Sequence, residues 1–184
     1  MFESIRDQRV AYIVGKEILD LANLDDPGHI AALEYWDQVR RGRVGEFRLE
    51  TLPAAIIPCM AIIDFLGPPV DFRYRFFGTH MVEVAGQELT GKCYDADKIK
   101  GFGFVNAEVF PVMIERRAPV YSRSCWISVK NLKFTTTSVR LPLSQDGDTI
   151  SGAVVVDRFT SGHGRPGCVG SGAEPGRKSV AGFQ

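Results

Sequence analysis

The sequence predicts an α+β fold built around one mixed or antiparallel sheet. Helical patterns occupy residues 2–42, whereas residues 119–159 are rich in Val, Thr, Ile and aromatic side chains and predict three consecutive strands. Asp146-Gly147 separates the last two of these strands and is a strong hairpin signal. Runs of strands that surround a helical insert are typical of α+β folds and not of doubly wound parallel sheets.

Length and charge limit the classes of protein to consider. The 184 residues suffice for one domain with a buried core but not for two, and 45% of them are hydrophobic. Lys plus Arg and Asp plus Glu number 22 each, so the formal net charge is zero. Because nucleic acids and anionic membranes select basic surfaces, neither is expected as a partner.

Cysteine spacing and the N-terminal residues bear on metal binding and localisation. The four cysteines, Cys59, Cys93, Cys125 and Cys168, lie far apart and form no CxxC pair, so we expect neither a metal site nor a disulfide framework. The chain begins without the apolar stretch of a signal peptide, and no apolar run is long enough to span a membrane. A cytoplasmic protein is therefore expected.

Residues 1–43 are predicted to form two N-terminal flanking helices. Asp26 and Pro27 supply an N-cap and a first-turn proline for the second helix, over 28–42. The first helix is predicted over 2–24, where four apolar residues recur at helical spacing: Val10, Val14, Ile18 and Leu21. An amphipathic helix must bury its apolar stripe, so these helices are the expected interface of a homodimer.

The predicted core covers residues 44–159 and opens with two strands. Residues 59–66 form an apolar run, and residues 71–78 alternate aromatic side chains with arginines, as in a half-buried strand. Thr79 then begins a short helix that closes on Gly86.

A longer helix and the final strands complete this core. The helix is predicted over 104–117, where Pro111 must lie at a kink or in a first turn. Beyond it, residues 160–184 are rich in glycine and almost free of aliphatic side chains, so they are expected to be disordered. The three strands between helix and tail are predicted at residues 119–129, 132–144 and 149–159.

One segment comes close to a phosphate-binding loop. Gly86, Gly91 and Lys92 have the spacing of G-x-x-x-x-G-K-[ST], but Cys93 stands at the hydroxyl position, and a thiol is a poor magnesium ligand. A helix-like segment also precedes the first glycine, where a phosphate loop needs a buried strand. We therefore interpret the two glycines as a helix end and a turn with positive φ.

Few side chains suggest catalysis. His80 and Asp95 are the candidate acid–base groups of an α+β enzyme with a central cavity, of isomerase, cyclase or thioesterase type, but no second group stands at a fixed spacing from either. Arg116 and Arg117 mark either a helix end, where cations are favoured, or an anion site; the helix end is the preferred interpretation.

Five segments of residues 28–158 follow one another in a recognisable order: "LEYWDQVRRGR", "LPAAIIPCMAIIDFL", "FRYRFFGTHMVEVAGQELTGK", "APVYSR" and "RLPLSQDGDTISGAVV". In this order they resemble the PAS-domain family of stand-alone bacterial proteins. The resemblance implies a five-stranded antiparallel sheet of order 2-1-5-4-3 with helices on one face. PAS domains are sensory or interaction modules, and many bind a ligand between the sheet and the crossing helix. Neither a haem-type histidine on that helix nor the flavin-type N-C-R-F-L motif is present, so no cofactor is assigned.

The expected function is accordingly non-enzymatic. We expect a sensory or regulatory module that binds a small apolar ligand, a signalling protein partner, or both, and that forms a homodimer. The alternative is the small enzyme that uses His80 or Asp95. A ligand pocket between sheet and helix is predicted from six aromatic residues: Phe76, Phe104, Phe110, Tyr121, Trp126 and Phe134.

Overall fold

The computed structural model describes residues 10–39, 43, 46–67, 71–94 and 102–161. For Phe102 and Phe104 it describes the backbone but not the side chain. The strands are β1 (Val10–Leu19), β2 (Met60–Gly67), β3 (Asp71–Phe77), β4 (Cys93–Tyr94), β5 (Val120–Ser128), β6 (Lys133–Ser144) and β7 (Ile150–Ser161). The helices are α1 (Pro27–Gln38), α2 (Thr79–Ala85) and α3 (Phe102–Arg116).

The strands form one curled sheet in the order β1-β5-β6-β7-β2-β3-β4, and every pairing is antiparallel. The predicted five-stranded PAS-like sheet is wrong, because the described sheet has seven strands. The five strands located from the sequence are consecutive neighbours within it, and β1 and β4 extend the sheet at its two edges.

The N-terminal segment accounts for one of these two additions. Within the described residues, the helix predicted over 2–24 is wrong, since Val10–Leu19 is a strand that pairs with β5 from Val10↔Ser128 to Leu19↔Tyr121. Side chains four residues apart share a face in a regular strand as well as in a helix, so the spacing was ambiguous. A partner strand about one hundred residues away decided between the two.

The second predicted N-terminal helix is confirmed as α1. Asp26 is its N-cap and accepts a hydrogen bond from the His29 backbone N–H at 2.9 Å, and Pro27 is its first residue. The helix packs on one face of the sheet through Ala32 and Trp36, and the Trp36 Nε1–H donates to the Pro142 carbonyl at 2.7 Å.

The other two helices, α2 and α3, cover the opposite face of the sheet. The α3 helix continues through Pro111 and buries Phe110 against Phe72 and Phe65, with ring centroids 5.3 and 5.1 Å apart. Both faces of the central strands are therefore covered, which explains their nearly continuous burial.

The predicted hairpins are confirmed. Gly147 has φ +88°, and the Asp146 carboxylate accepts hydrogen bonds from the backbone of Asp148 and Thr149 in the β6–β7 turn. Asn131 has φ +60° in the β5–β6 turn. Of the predicted disordered tail, Thr160 and Ser161 belong to β7, and residues 162–184 lie outside the described residues. Among the described helices, none is long and apolar enough to cross a bilayer.

Candidate functional site

The structure does not bring the six predicted pocket aromatics together. Phe110, Trp126 and Phe134 lie on the α3 face, where the last two stack with centroids 4.5 Å apart. Phe76 and Tyr121 lie on the α1 face, since Phe76 packs into the core beneath α1 and the Tyr121 ring lies 5.9 Å from the His29 ring. The side chain of Phe104 lies outside the described residues.

The α3 face instead contains a group of buried polar residues, here called the polar cluster. Three of them lie side by side across β5, β6 and β7, as the pairs Ser122↔Ser138 and Ser138↔Asp157 show. Arg140 is the next residue of β6 on this face. The full cluster is Tyr74, Asn106, Ser122, Ser138, Arg140 and Asp157, and all six are buried.

Arg140 is the cation at the centre of the polar cluster. Its side chain is only 2% exposed, yet it meets uncharged acceptors: Nε–H donates to Asn106 Oδ1 at 2.9 Å and Nη1–H to Ser122 Oγ at 2.6 Å. Burial lowers the pKa of this guanidinium, against the opposing charge of Asp157. The helix α3 and strand β5 thus hold Arg140 in place through one amide and one hydroxyl group.

Asp157 is the anion of the polar cluster, and its pairing is incomplete. The residue is 4% exposed, and its Oδ1 has no hydrogen-bond partner among the described residues. Burial raises the pKa of this carboxyl, while Arg140 and the Ser138 hydroxyl act in the opposite direction. A buried acceptor left without a partner costs about 1–3 kcal/mol, and such groups in native proteins call for an explanation.

The two buried charges are neighbours that do not touch. Within the described residues, no hydrogen bond or ion pair joins Arg140 to Asp157. Arg140 lies opposite Val155, two residues before Asp157 on β7. Diagonal neighbours of this kind are within reach of long side chains. Arg140 therefore has two sets of partners within reach, Asn106 and Ser122 or Asp157, and this structure shows the first.

A cleft between α3 and strands β1 and β5, here called the α3 cleft, reaches this cluster. Its volume is about 170 Å³, and Ser122 lines it beside the apolar side chains of Ile18, Val105 and Val109. Two ion pairs, Lys16–Glu108 and Glu17–Arg123, involve the charged residues that line it. Since an engineered apolar cavity of about 150 Å³ binds benzene, the α3 cleft has room for a molecule of that size.

The sequence contains a signal for the polar cluster, namely two charged residues within apolar strands. Arg140 and Asp157 interrupt the apolar runs of β6 and β7, and buried charged residues are rare unless paired. Placing both on the same face as Ser122 needed the register of three strands, and a shift of one residue would have reversed each side chain.

Of the two predicted acid–base residues, His80 is described, and it does not line the α3 cleft. The His80 ring is partly exposed on α2, with Nδ1 3.4 Å from Glu83 Oε2 and the ring edge-on to Phe159. Asp95 lies outside the described residues. Among the residues that are described, no three His, Cys, Asp or Glu side chains are grouped to hold a metal ion.

The interpretation of the near phosphate loop as a turn is confirmed. Gly86 ends α2 with φ +69°, and Gly91 has φ +80°. The Gly91 N–H donates to the Tyr74 carbonyl, and the Tyr74 N–H donates to the Lys92 carbonyl at 3.0 Å, so the segment runs along β3 into β4. A phosphate loop leads instead into a helix.

A second charged group lies on the opposite face, at the start of α1. Arg158, the residue after Asp157, donates from Nε to both Asp26 carboxylate oxygens at 3.0 and 3.2 Å. These contacts and the His29 backbone N–H hold the pKa of Asp26 below its usual value, against the effect of burial. His29 is fully buried, and burial lowers its pKa even though Asp26 Oδ1 lies 4.0 Å away. This group ties α1 to β7.

Comparison with known proteins adds no name to this site. Neither a scan of family models nor a search of curated proteins finds a match to the chain. The resemblance to the PAS family therefore stays a prediction, and function must be argued from the α3 cleft and the polar cluster.

Proposed function

We propose that this protein is a non-enzymatic sensory or regulatory module, in which a small ligand enters the α3 cleft and the polar cluster responds. One observation carries the proposal: the buried Asp157 Oδ1 has no hydrogen-bond partner in the described part of the chain, although a buried arginine is within reach. A buried charge left incompletely paired is unfavourable, and in some proteins such unfavourable arrangements belong to a switch between two states.

Ser122 links the cleft to the charges. A ligand that hydrogen-bonds with the Ser122 hydroxyl competes with Arg140 Nη1, which uses that oxygen in the present structure. Once released, the guanidinium can turn to the Asp157 carboxylate and form a charge-assisted hydrogen bond, worth about 1.5–3 kcal/mol. Ligand binding then shifts the population between two arrangements of Arg140.

The dimensions of the α3 cleft define the class of ligand. A volume of about 170 Å³ accommodates a molecule of about six to ten non-hydrogen atoms. Its body is apolar, because it contacts Ile18, Val105 and Val109, and it carries one hydrogen-bonding group for Ser122. This ligand agrees with the small apolar molecule expected from the sequence.

An enzyme is the second candidate, and the raised pKa of Asp157 favours it, since a raised carboxyl pKa is a common feature of general acids. Asp157 does not line the α3 cleft, however, so a molecule held there meets Ser122 and not the carboxyl. Of the two predicted acid–base residues, His80 contacts Glu83 and makes no described contact with Asp157, and Asp95 lies outside the described residues.

The structure supports only part of the interface that was predicted for a homodimer. The predicted interface used helices over residues 2–24 and 28–42, but Val10–Leu19 is a strand that is already paired with β5. A signalling protein partner remains a prediction. Such a partner would be needed to detect which of its two arrangements Arg140 adopts.

The proposal can be tested by titrating ¹⁵N-labelled protein with benzyl alcohol, which has an apolar ring and one hydroxyl. We expect saturable shifts of the Ser122 amide and the Arg140 Nε–H signals. Ile18→Trp fills the cleft from a side chain that is 43% exposed, so the fold should tolerate it while binding is lost. Tyr12→Trp, on the same strand but outside the lining, is the matched control and should bind normally.

Ser122→Ala separates binding from transmission. In this variant the probe should still move the Val105 amide, while the Arg140 Nε–H signal no longer responds to it. The proposal fails if benzyl alcohol produces no saturable shift in the unsubstituted protein. It also fails if the Val105 signal moves there and the Arg140 signal does not.

A further inference from the structure

A second cavity opens at the opposite end of α3, beside the β6–β7 turn, and is here called the arginine groove. Its volume is about 510 Å³, within the range of about 300–1,000 Å³ typical of small-molecule sites. Apolar side chains line much of it: Trp36, Pro119, Pro142 and Ile150. It shares no lining residue with the α3 cleft.

Two guanidinium groups converge within this groove. Arg117 Nη2–H donates to the Gly147 carbonyl at 3.4 Å, and the Arg43 guanidinium lies 3.6 Å from the point where a Cβ of Gly147 would stand. Within the described part of the chain, neither arginine is ion-paired with a carboxylate. Both guanidinium groups lie beside Gly147, so an anion bound there would be attracted by both positive charges.

The end of a helix explains only part of this arrangement. Cations are favoured after the last turn of α3, which accounts equally for Arg116 and Arg117. It does not account for Arg43, which comes from a different part of the chain and reaches the same glycine. Arg117 also has φ +50°, a backbone conformation that favours glycine. An arginine at this position therefore destabilises the folded protein relative to glycine.

We propose that the arginine groove binds a small organic anion, with a carboxylate or similar oxyanion between Arg43 and Arg117 and a flat apolar body against Trp36. Guanidinium groups suit such oxyanions because their N–H donors match two oxygens at once. Among the described lining residues, two arginines and one aspartate carry a charge, and this balance favours a monoanion.

The test uses benzoate as the probe and benzamide as its uncharged counterpart of nearly the same shape. In ¹H–¹⁵N spectra the Trp36 indole N–H, which donates to Pro142 beside the groove, should shift with benzoate and saturate. The Trp126 indole N–H, buried against Thr136 on the α3 face, serves as an internal reference and should not move. Benzamide should bind at least about tenfold more weakly.

Substitutions distinguish the groove from general surface charge. Arg43→Ala and Arg117→Gly should each weaken benzoate binding about tenfold, the loss expected for one charge-assisted hydrogen bond. Arg117→Gly should keep the fold, since glycine suits φ +50°. Arg116→Ala removes the same charge one residue earlier, outside the groove lining, and should bind benzoate within about twofold of the unsubstituted protein.

Three results would overturn the proposal. The first is the absence of a saturable Trp36 shift with benzoate. The second is an equal affinity for benzamide, which would make the groove an apolar surface only. The third is a loss of benzoate affinity in Arg116→Ala as large as that in Arg117→Gly. Net positive charge, and not the groove, would then explain the binding. Benzyl alcohol, the probe for the α3 cleft, should leave Trp36 unchanged, so failure at one site leaves the other testable.

Discussion

Replacing Asp157 by asparagine should make this protein more stable at neutral pH. The substitution keeps the shape of the side chain and removes its charge. Asp157 is buried, and the contacts that the structure describes include neither a hydrogen-bond partner for its Oδ1 nor an ion pair with Arg140. Burial raises the pKa of the carboxyl despite the arginine, so the folded protein favours the uncharged form at this position.

The expected gain follows from the removed charge, since asparagine keeps a polar group at the same position. A buried polar group without a partner costs about 1–3 kcal/mol and a charged one costs more, so we expect Asp157→Asn to raise the free energy of unfolding by at least about 1 kcal/mol at pH 7.5. In a chain of this length each kcal/mol corresponds to about 2–4 °C in Tm. The penalty belongs to the charged form, and it therefore depends on pH.

The stability gained through Asp157→Asn should increase with pH. The pKa of Asp157 is higher folded than unfolded, so its contribution to stability is fully present below the unfolded pKa, about 3.9, and is lost as pH rises through the folded pKa. Asp157→Asn removes this loss. The advantage of the variant should thus be largest near neutral pH and vanish below about pH 4.

Urea unfolding followed by circular dichroism, from pH 4 to 7.5, measures this difference. Asp146→Asn is the matched control, because that carboxylate accepts hydrogen bonds from Ser144, Asp148 and Thr149, which hold its pKa far below the usual value. The same chemical change there should lower the free energy of unfolding at pH 7.5. A loss of more than about 1 kcal/mol for Asp157→Asn would contradict the reasoning, because Arg140 would then more than compensate the buried charge.

Two further predictions concern stability. Gly152→Ala would place a Cβ 2.3 Å from the Ile63 carbonyl oxygen, so it should destabilise by about 1–3 kcal/mol in urea unfolding, whereas Gly15→Ala, with no atom within 4 Å, should not destabilise. His29 has a lower pKa folded than unfolded, so stability should fall as pH drops from about 7 through its unfolded pKa towards its folded value; His29→Leu should flatten this slope in pH-dependent thermal melts, and an unchanged slope would contradict it.

Local signals were the part of the fold that the sequence predicted well. The Asp26 cap of α1, the glycine that ends α2 and the Asp146-Gly147 hairpin each depend on residues a few positions apart. The nature of β1 was not predictable in this way. Its apolar spacing fits helix and strand alike, and only pairing with β5 selects the strand.

The candidate site was harder to predict for a related reason. The six aromatics were chosen by residue type, but a ligand site depends on which face each side chain occupies. Irregular register between β2 and β3, at Ile62/Ile63, places Phe76 on the face opposite Phe72 and Tyr74, with which simple alternation would group it. Likewise, Arg140, Asp157 and Ser122 become one cluster only when three strands are aligned.

The position of β1 has a consequence for how the chain folds. Its partner, β5, ends at Ser128, so the two strands close a loop of more than one hundred residues. During synthesis at about 5–20 residues per second, β1 must wait on the order of ten seconds before β5 exists. The β6–β7 hairpin, in contrast, pairs residues that are close in sequence and can form early. We therefore expect β1 to be the last strand to join the sheet, and the α3 cleft, which Ile18 helps to line, to close only with it.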